Sequence, residues 1–359
     1  MRKGKLWVVL SVVFSMLVVS ISGRVVHASH DIFPEQLDNP QIDFLTHWGP
    51  DEPLLVKRSS DFEALTGGYF ELDQTPWEDL GTKLGARVMA GDSPDLFLGR
   101  PEDFPNLVNQ ELFQPLDDLI DFDHPIWEGV REINNRLTWK GKRYIAITEA
   151  KPWRVVWYNK ELFEANGLDT PRDYYYRGEW DWDTLLYLAD MLTYDSNGDG
   201  NIDQFGFGVD NPLMFVYSTG EGFVNLPPEG IENNLRSPAI ARAMNFYQEL
   251  SKFMEPGLST FRDTFPQGKV AMCYDGFWVG NELMKTGEFS FVPAPKDPNA
   301  SEYIHFGEMN NFMIPVGAKN VEGAVAAINF FRMEQLDEEM QEEFQRQYRE
   351  EYGWTDEAF

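Results

Sequence analysis

Ile42-Asp43-Phe44-Leu45, Gly67-Gly68-Tyr69-Phe70-Glu71-Leu72 and Pro94-Asp95-Leu96-Phe97-Leu98 are short runs separated by two segments of helix length. The first helix is predicted over 53–66, with Gly67-Gly68 as its C-cap signal. Tyr69 to Leu72 then reads as a second strand. A second helix is predicted over 77–90, stopping at Gly91 before the apolar strand 94–98. Strands alternating with helices of this length imply βαβ units and a mostly parallel sheet. In such sheets ligands sit beyond the carboxyl ends of the strands.

Further along, Gly141–Thr148 and Arg154–Tyr158 read as strands. Residues 149–153 between them read as the first crossing between domains. Helices are predicted at 159–166, 181–192, 237–253, 277–285 and 321–351, with a short strand at 313–316. Leu336, Met340, Phe344 and Tyr348 recur every four residues in an acidic, Gln-rich stretch, which puts them on one helical face. A core-facing helix is the default reading and a partner-binding helix the alternative.

The 359 residues give room for about two domains. Aromatics at 14 %, with 11 Trp, support a packed interior and argue against disorder. The net charge of −29 argues against nucleic acid, since nothing here would neutralise phosphates. The N-terminus has the layout of an export signal: basic Arg2, Lys3 and Lys5, an uncharged run Leu6–Ile21, then Val26-His27-Ala28. Residues 1–28 are expected to be removed, which takes the charge to −33. An uncleaved anchor is the alternative. No cysteine follows the apolar run, so no lipid anchor is expected there. Cys273, the one cysteine, lies in the run Val270–Tyr274 and reads as a buried strand residue.

Common catalytic signatures such as GxSxG, HExxH, the P-loop, GxGxxG and CxxC are missing. The sharpest motif is Asp195-Ser196-Asn197-Gly198-Asp199-Gly200-Asn201-Ile202-Asp203, the first nine positions of an EF-hand loop. Asp195, Asn197, Asp199 and Asp203 would supply side-chain oxygens, and Asn201 its carbonyl. Gly206 stands where the twelfth-position Glu belongs. A structural calcium ion is expected, with an ordinary Asx/Gly turn as the alternative. No organic cofactor is expected. Trp48, Trp153, Trp182 and Trp278 all lie near strand ends or loop starts. A flat apolar face with a polar edge suits sugar rings, while core packing is the competing reading of each. Trp77, Trp127 and Trp139 are assigned to the core or its edge.

Six pieces of this chain resemble, in order, those of the extracellular solute-binding proteins of ABC importers, the maltose-binding-protein-like family. They are Ile42–Asp51, Gly91-Asp92-Ser93-Pro94-Asp95-Leu96, Gln114-Pro115-Leu116-Asp117-Asp118, Trp139–Tyr144, Tyr158-Asn159-Lys160-Glu161-Leu162-Phe163 with Gly167-Leu168, and Phe265–Met272. The resemblance spans about 42–332. It implies an α/β, two-lobed, type II periplasmic-binding-protein-like fold with a cleft between lobes. The first lobe would hold 40–150 plus 309–335 and the second 151–308, with a C-terminal helix in 336–359. Many relatives continue past this point, so the chain reads as truncated.

The resemblance also implies capture of a mono- or oligosaccharide and delivery to permease subunits, by a monomer that is not an enzyme. Matching positions point to Trp48, Asp51, Arg100, Glu102 and Trp278 as ligand contacts, with Asn310 and Asn311 near the last crossing. The aromatic pattern adds Trp153. A secreted glycosidase and a calcium-dependent adhesion module are the competing functions.

Overall fold

A computed structural model describes residues 32–100, 103–151, 154–209, 211–225, 227, 230–257, 261–304 and 307–355. The predicted signal segment, Glu102 and Trp153 lie outside them. Among the described residues nine strands form two main sheets. The first contains β1 (Gln41–Thr46), β2 (Tyr69–Gln74), β3 (Leu96–Leu98), β4 (Ala146–Lys151) and β9 (Glu308–Met313), in the order β2-β1-β3-β9-β4. The second contains β5 (Arg154–Asn159), β6 (Phe205–Val209), β7 (Val270–Gly276) and β8 (Phe289–Val292), in the order β8-β5-β7-β6. The fold is the two-lobed α/β one, each lobe built on one sheet.

The opening units form as their residues dictate. Helix α1 (Pro53–Thr66) starts with proline in its first turn and ends at Gly67, whose φ of 67° suits a residue without Cβ. The Gly67 N–H donates to the Glu63 carbonyl at 2.8 Å. Strand β1 then pairs in parallel with β2, Gln41 opposite Tyr69, and with β3, Phe44 opposite Leu96. Side chains alternate across the pleat. Ile42 and Phe44 enter one apolar cluster and Leu45 and Phe97 the one behind it, to which helix α2 (Leu80–Met89) adds Leu80 and Leu84. The second sheet is likewise covered on both faces, with Val156 and Tyr158 on one side and Val155 and Trp157 on the other. Helices α3 (Trp182–Met191) and α4 (Pro238–Leu250) pack on the first of those faces.

Asp95 explains the short Pro-Asp-Leu motif. Its buried carboxylate accepts the N–H groups of Asp43, Lys319 and Asn320 at 3.1, 2.9 and 2.7 Å. It thereby ties β1 to the start of helix α5 (Val321–Glu334), whose N-cap is Asn320. Charge-assisted bonds of this kind are among the stronger ones in a protein.

Four predicted elements need correction. The strand expected at 141–148 runs instead from Ala146 to Lys151, because residues 139–142 close a turn in which Gly141 has φ 76°. The strand expected at 313–316 is Glu308–Met313; its ladder ends before Pro315, which has no N–H to continue it. The single helix expected over 321–351 is two, α5 and α6 (Glu338–Tyr352), split where the Asp337 side chain caps the second by accepting from the Met340 N–H. Leu336 therefore lies between helices and is exposed. The helix expected over 277–285 is a short α-turn, Gly280–Leu283, flanked by 3₁₀ turns. Cys273 is buried on β7, as read.

The candidate ligand cleft

The chain leaves the first sheet after Lys151 and enters the second at Arg154. It returns through β9 and α5, and α6 then bridges the lobes. Met340 of α6 packs on the first lobe's core, and Tyr348 and Tyr352 pack with Trp354 on the second's. Between the lobes lies a cavity of about 200 Å³. Other hollows, one of about 230 Å³ beside Cys273 and a groove of about 760 Å³ over α3 and α4, are each lined by the second lobe alone. A cleft that two lobes share is the one that lobe movement would close.

From the first lobe come Trp48, just past β1, Arg58 of α1, and Glu149 and Lys151 at the end of β4. Trp48 is half-buried, edge-on to Phe44, Phe312 and Phe331 at 5.9–6.1 Å. From the second lobe come Trp278 and Asn281, just past the carboxyl end of β7. Trp278 stays 45 % exposed while its neighbour Phe277 packs inward on the Trp157 cluster. Glu52 before α1, Asn310 of β9, Gln335 after α5 and Gln341, Phe344 and Tyr348 of α6 complete the lining.

Each aromatic wall has a cation against it. The Arg58 guanidinium lies 5.6 Å from the Trp48 ring centre, Arg154 5.2 Å from Trp278, and the Lys151 ammonium 5.8 Å from Phe344. Such contacts are worth about 0.5–1 kcal/mol when exposed and more when dry, enough to bias ring orientation. The cations are held in turn. Arg58 donates from Nε to both oxygens of Glu334 at 2.8 and 2.9 Å. Lys151 pairs with Glu149, whose other oxygen accepts from Asn310 Nδ2 at 2.8 Å. Arg154 and Arg262 both face the buried Asp275 carboxylate. Burial pushes the Tyr348 hydroxyl up to about 12, so at neutral pH it is an uncharged donor and acceptor.

Of the residues singled out in the sequence, the fold brings Trp48, Trp278 and Asn310 together. Asp51 is exposed in the turn before α1. Arg100 is not among the lining residues; it donates to Asp103 from Nε and Nη2 at 3.0 and 2.7 Å and to the Trp77 carbonyl at 2.7 Å. Asn311 is buried, with Nδ2 donating to the Gly99 carbonyl at 3.2 Å. Trp182 is a core residue at 2 % exposure, stacked on Phe246 at 4.9 Å. Trp77, assigned to the core or its edge, is 39 % exposed and edge-on to His47 at 4.8 Å. Reading the sequence missed Glu52, Arg58, Glu149, Lys151, Asn281, Gln335, Gln341, Phe344 and Tyr348 as cleft residues.

The 195–203 loop lies on the second lobe between α3 and β6, away from the cleft. Gly198 and Gly200 take φ of 77° and 91°, as the tight turn requires. Its carboxylates face the loop's own donors. Asp195 accepts the N–H groups of Gly198 and Gly200 at 2.6 and 2.7 Å, and Asp203 those of Ser196 and the Asn197 amide. These bonds hold the Asp195 carboxyl below its usual range. Among the described residues no three His, Cys, Asp or Glu side chains gather as metal ligands.

Residues 53–333 match the model of the bacterial extracellular solute-binding protein family. The chain belongs to that family. This solute-binding protein is 22 % identical over 302 residues to a binding protein of Brucella abortus, covering 76 % of this chain and 70 % of that one. It is 25 % identical over 189 residues to the maltooligosaccharide ABC transporter solute-binding lipoprotein of Streptococcus pneumoniae, covering 49 % and 42 %. Its structure resembles the maltose/maltodextrin-binding domain of Bdellovibrio bacteriovorus bound to maltotriose, with a TM-score of 0.61, 20 % identity and coverage of 87 % and 80 %. Among the described residues no helix of the solute-binding protein is long and apolar enough to cross a membrane.

Proposed function

We propose that this solute-binding protein captures an uncharged carbohydrate outside the cell and presents it to the permease of an ABC importer. The observation that carries this is the inter-lobe cavity, with aromatic faces from both lobes and an amide and carboxylate rim. Of its lining charges, Lys151 pairs with Glu149 and Arg58 with Glu334, while burial raises the Glu52 carboxyl and the Arg58 charge draws it down. A neutral ligand leaves those pairs intact, whereas a charged one must compete with them. The sugars bound by similar proteins support the same class. In a thermal-shift screen over sugars, amino acids and peptides, a sugar should raise the melting temperature. At a hundred times Kd the gain is about 2.7 kcal/mol. The same sugar at saturation should shrink the scattering radius as the lobes close. A shift with amino acids or peptides and none with sugars would reject the reading.

Calcium at Asp195, Asn197, Asp199, Asn201 and Asp203 is a second proposal, supported by the spacing alone. Binding requires Asp195 and Asp203 to exchange backbone bonds for the ion. Added calcium should then raise the melting temperature, chelator should reverse it, and Asp199→Ala should abolish the response. Identical melts with and without calcium would leave a hydrogen-bonded turn.

A further inference from the structure

Helix α6 closes one end of the cavity. Phe344 and Tyr348 stack on each other at 4.6 Å, and Tyr348 meets Trp354 edge-on at 5.5 Å. Trp354 is itself buried in the second lobe's core. The wall is thus braced from behind by a fixed indole, and Lys151 presses on Phe344 from the first lobe. It is further tied to α5, because Gln341 Nε2 donates to the Glu334 carbonyl at 3.0 Å. A residue that must rearrange to admit a longer ligand would have to leave these contacts.

The enclosed space agrees with a short ligand. Pockets for drug-sized molecules begin near ~300 Å³, and this one has about 200 Å³.

We infer that the cleft is cut to a single sugar ring, and that Phe344 and Tyr348 set that length by blocking the path a second ring would take. The inference rests on the carbohydrate reading above and adds to it the size class and the residues that impose it.

Titration calorimetry on the whole chain tests this, using pentoses and hexoses beside the di- and trisaccharides made from the same units. The best single-ring sugar should bind at least about tenfold more tightly than any trisaccharide. Phe344→Ala should shrink or reverse that ratio, while Phe344→Val, which removes the ring but leaves more of the side chain and serves if the alanine variant melts early, should shift it part of the way. A trisaccharide that binds the wild type as tightly as any single ring overturns the inference and leaves the carbohydrate reading standing. So does a ratio unchanged in both variants. If no sugar of any length binds, the carbohydrate reading falls and the inference with it.

Discussion

Trp278→Ala should weaken sugar binding by nearly a hundredfold while leaving the melting temperature of the unliganded protein almost unchanged. The indole lies across the backbone at the carboxyl end of β7: a Cβ added to Gly276 would come within 2.0–2.2 Å of its ring carbons. Glycine at 276 is therefore what lets the ring lie flat there. Arg154 holds the indole in that orientation. At 45 % exposed, Trp278 contributes little to the second lobe's core, which Phe277 and Trp157 fill. Losing roughly 100 Å² of contact with a ligand at ~25 cal/mol per Å² removes about 2.5 kcal/mol, close to two decades in Kd. A core tryptophan would instead cost about 3–5 kcal/mol of folding stability when truncated. Calorimetry and thermal melts on one preparation separate the outcomes, and a variant that melts much earlier yet binds normally would remove Trp278 from the site.

How far such residues are legible in the sequence depends on what their neighbours pack against. The alternation in Ile42–Leu45 and the Gly67 cap reveal the first βαβ unit, because both signals arise from local chemistry. The ends of β4 and β9 do not show. Glu149 and Lys151 look like a crossing and Asn310-Asn311 like a loop, because strand residues that face a cleft need no hydrophobic pattern. Asn310 instead satisfies its amide on Glu149, and Asn311 on the Gly99 carbonyl. The fourfold spacing of Met340, Phe344 and Tyr348 tells which residues share a face, but not that this face runs from one lobe's core, across the cleft, to the other's. Trp182 and Trp278 look alike in sequence, each opening a helical turn after a loop. Only the fold puts one under α4 and the other at the mouth of β7.

The pairing hardest to see in the sequence, Arg58 with Glu334, carries the largest expected effect on stability. Both side chains are mostly buried, 14 % and 10 % exposed. Glu334 also ends α5, where the helix dipole disfavours negative charge. Burial raises its carboxyl above the usual range, and Arg58 pulls it back down. Arg58→Ala leaves that charge without its cation, a change that costs about 3–5 kcal/mol at buried pairs. Because the folded chain binds the Glu334 proton more tightly than the unfolded chain, the group's contribution to stability is fully present below its unfolded pKa. It is lost as the pH rises through the folded one. Removing Arg58 raises the folded value further, so the loss should be largest near neutrality and shrink on acidification. Glu334→Gln placed in the same chain should restore much of the stability and flatten that pH dependence, since no buried charge remains. A denaturant melt series across pH reads both effects. A loss that is the same at every pH, or one the double variant fails to recover, would show that Arg58 acts through its packing on Trp48 and not through the charge. In either case Trp48 loses the guanidinium that lies 5.6 Å from its ring, so sugar affinity should fall alongside stability.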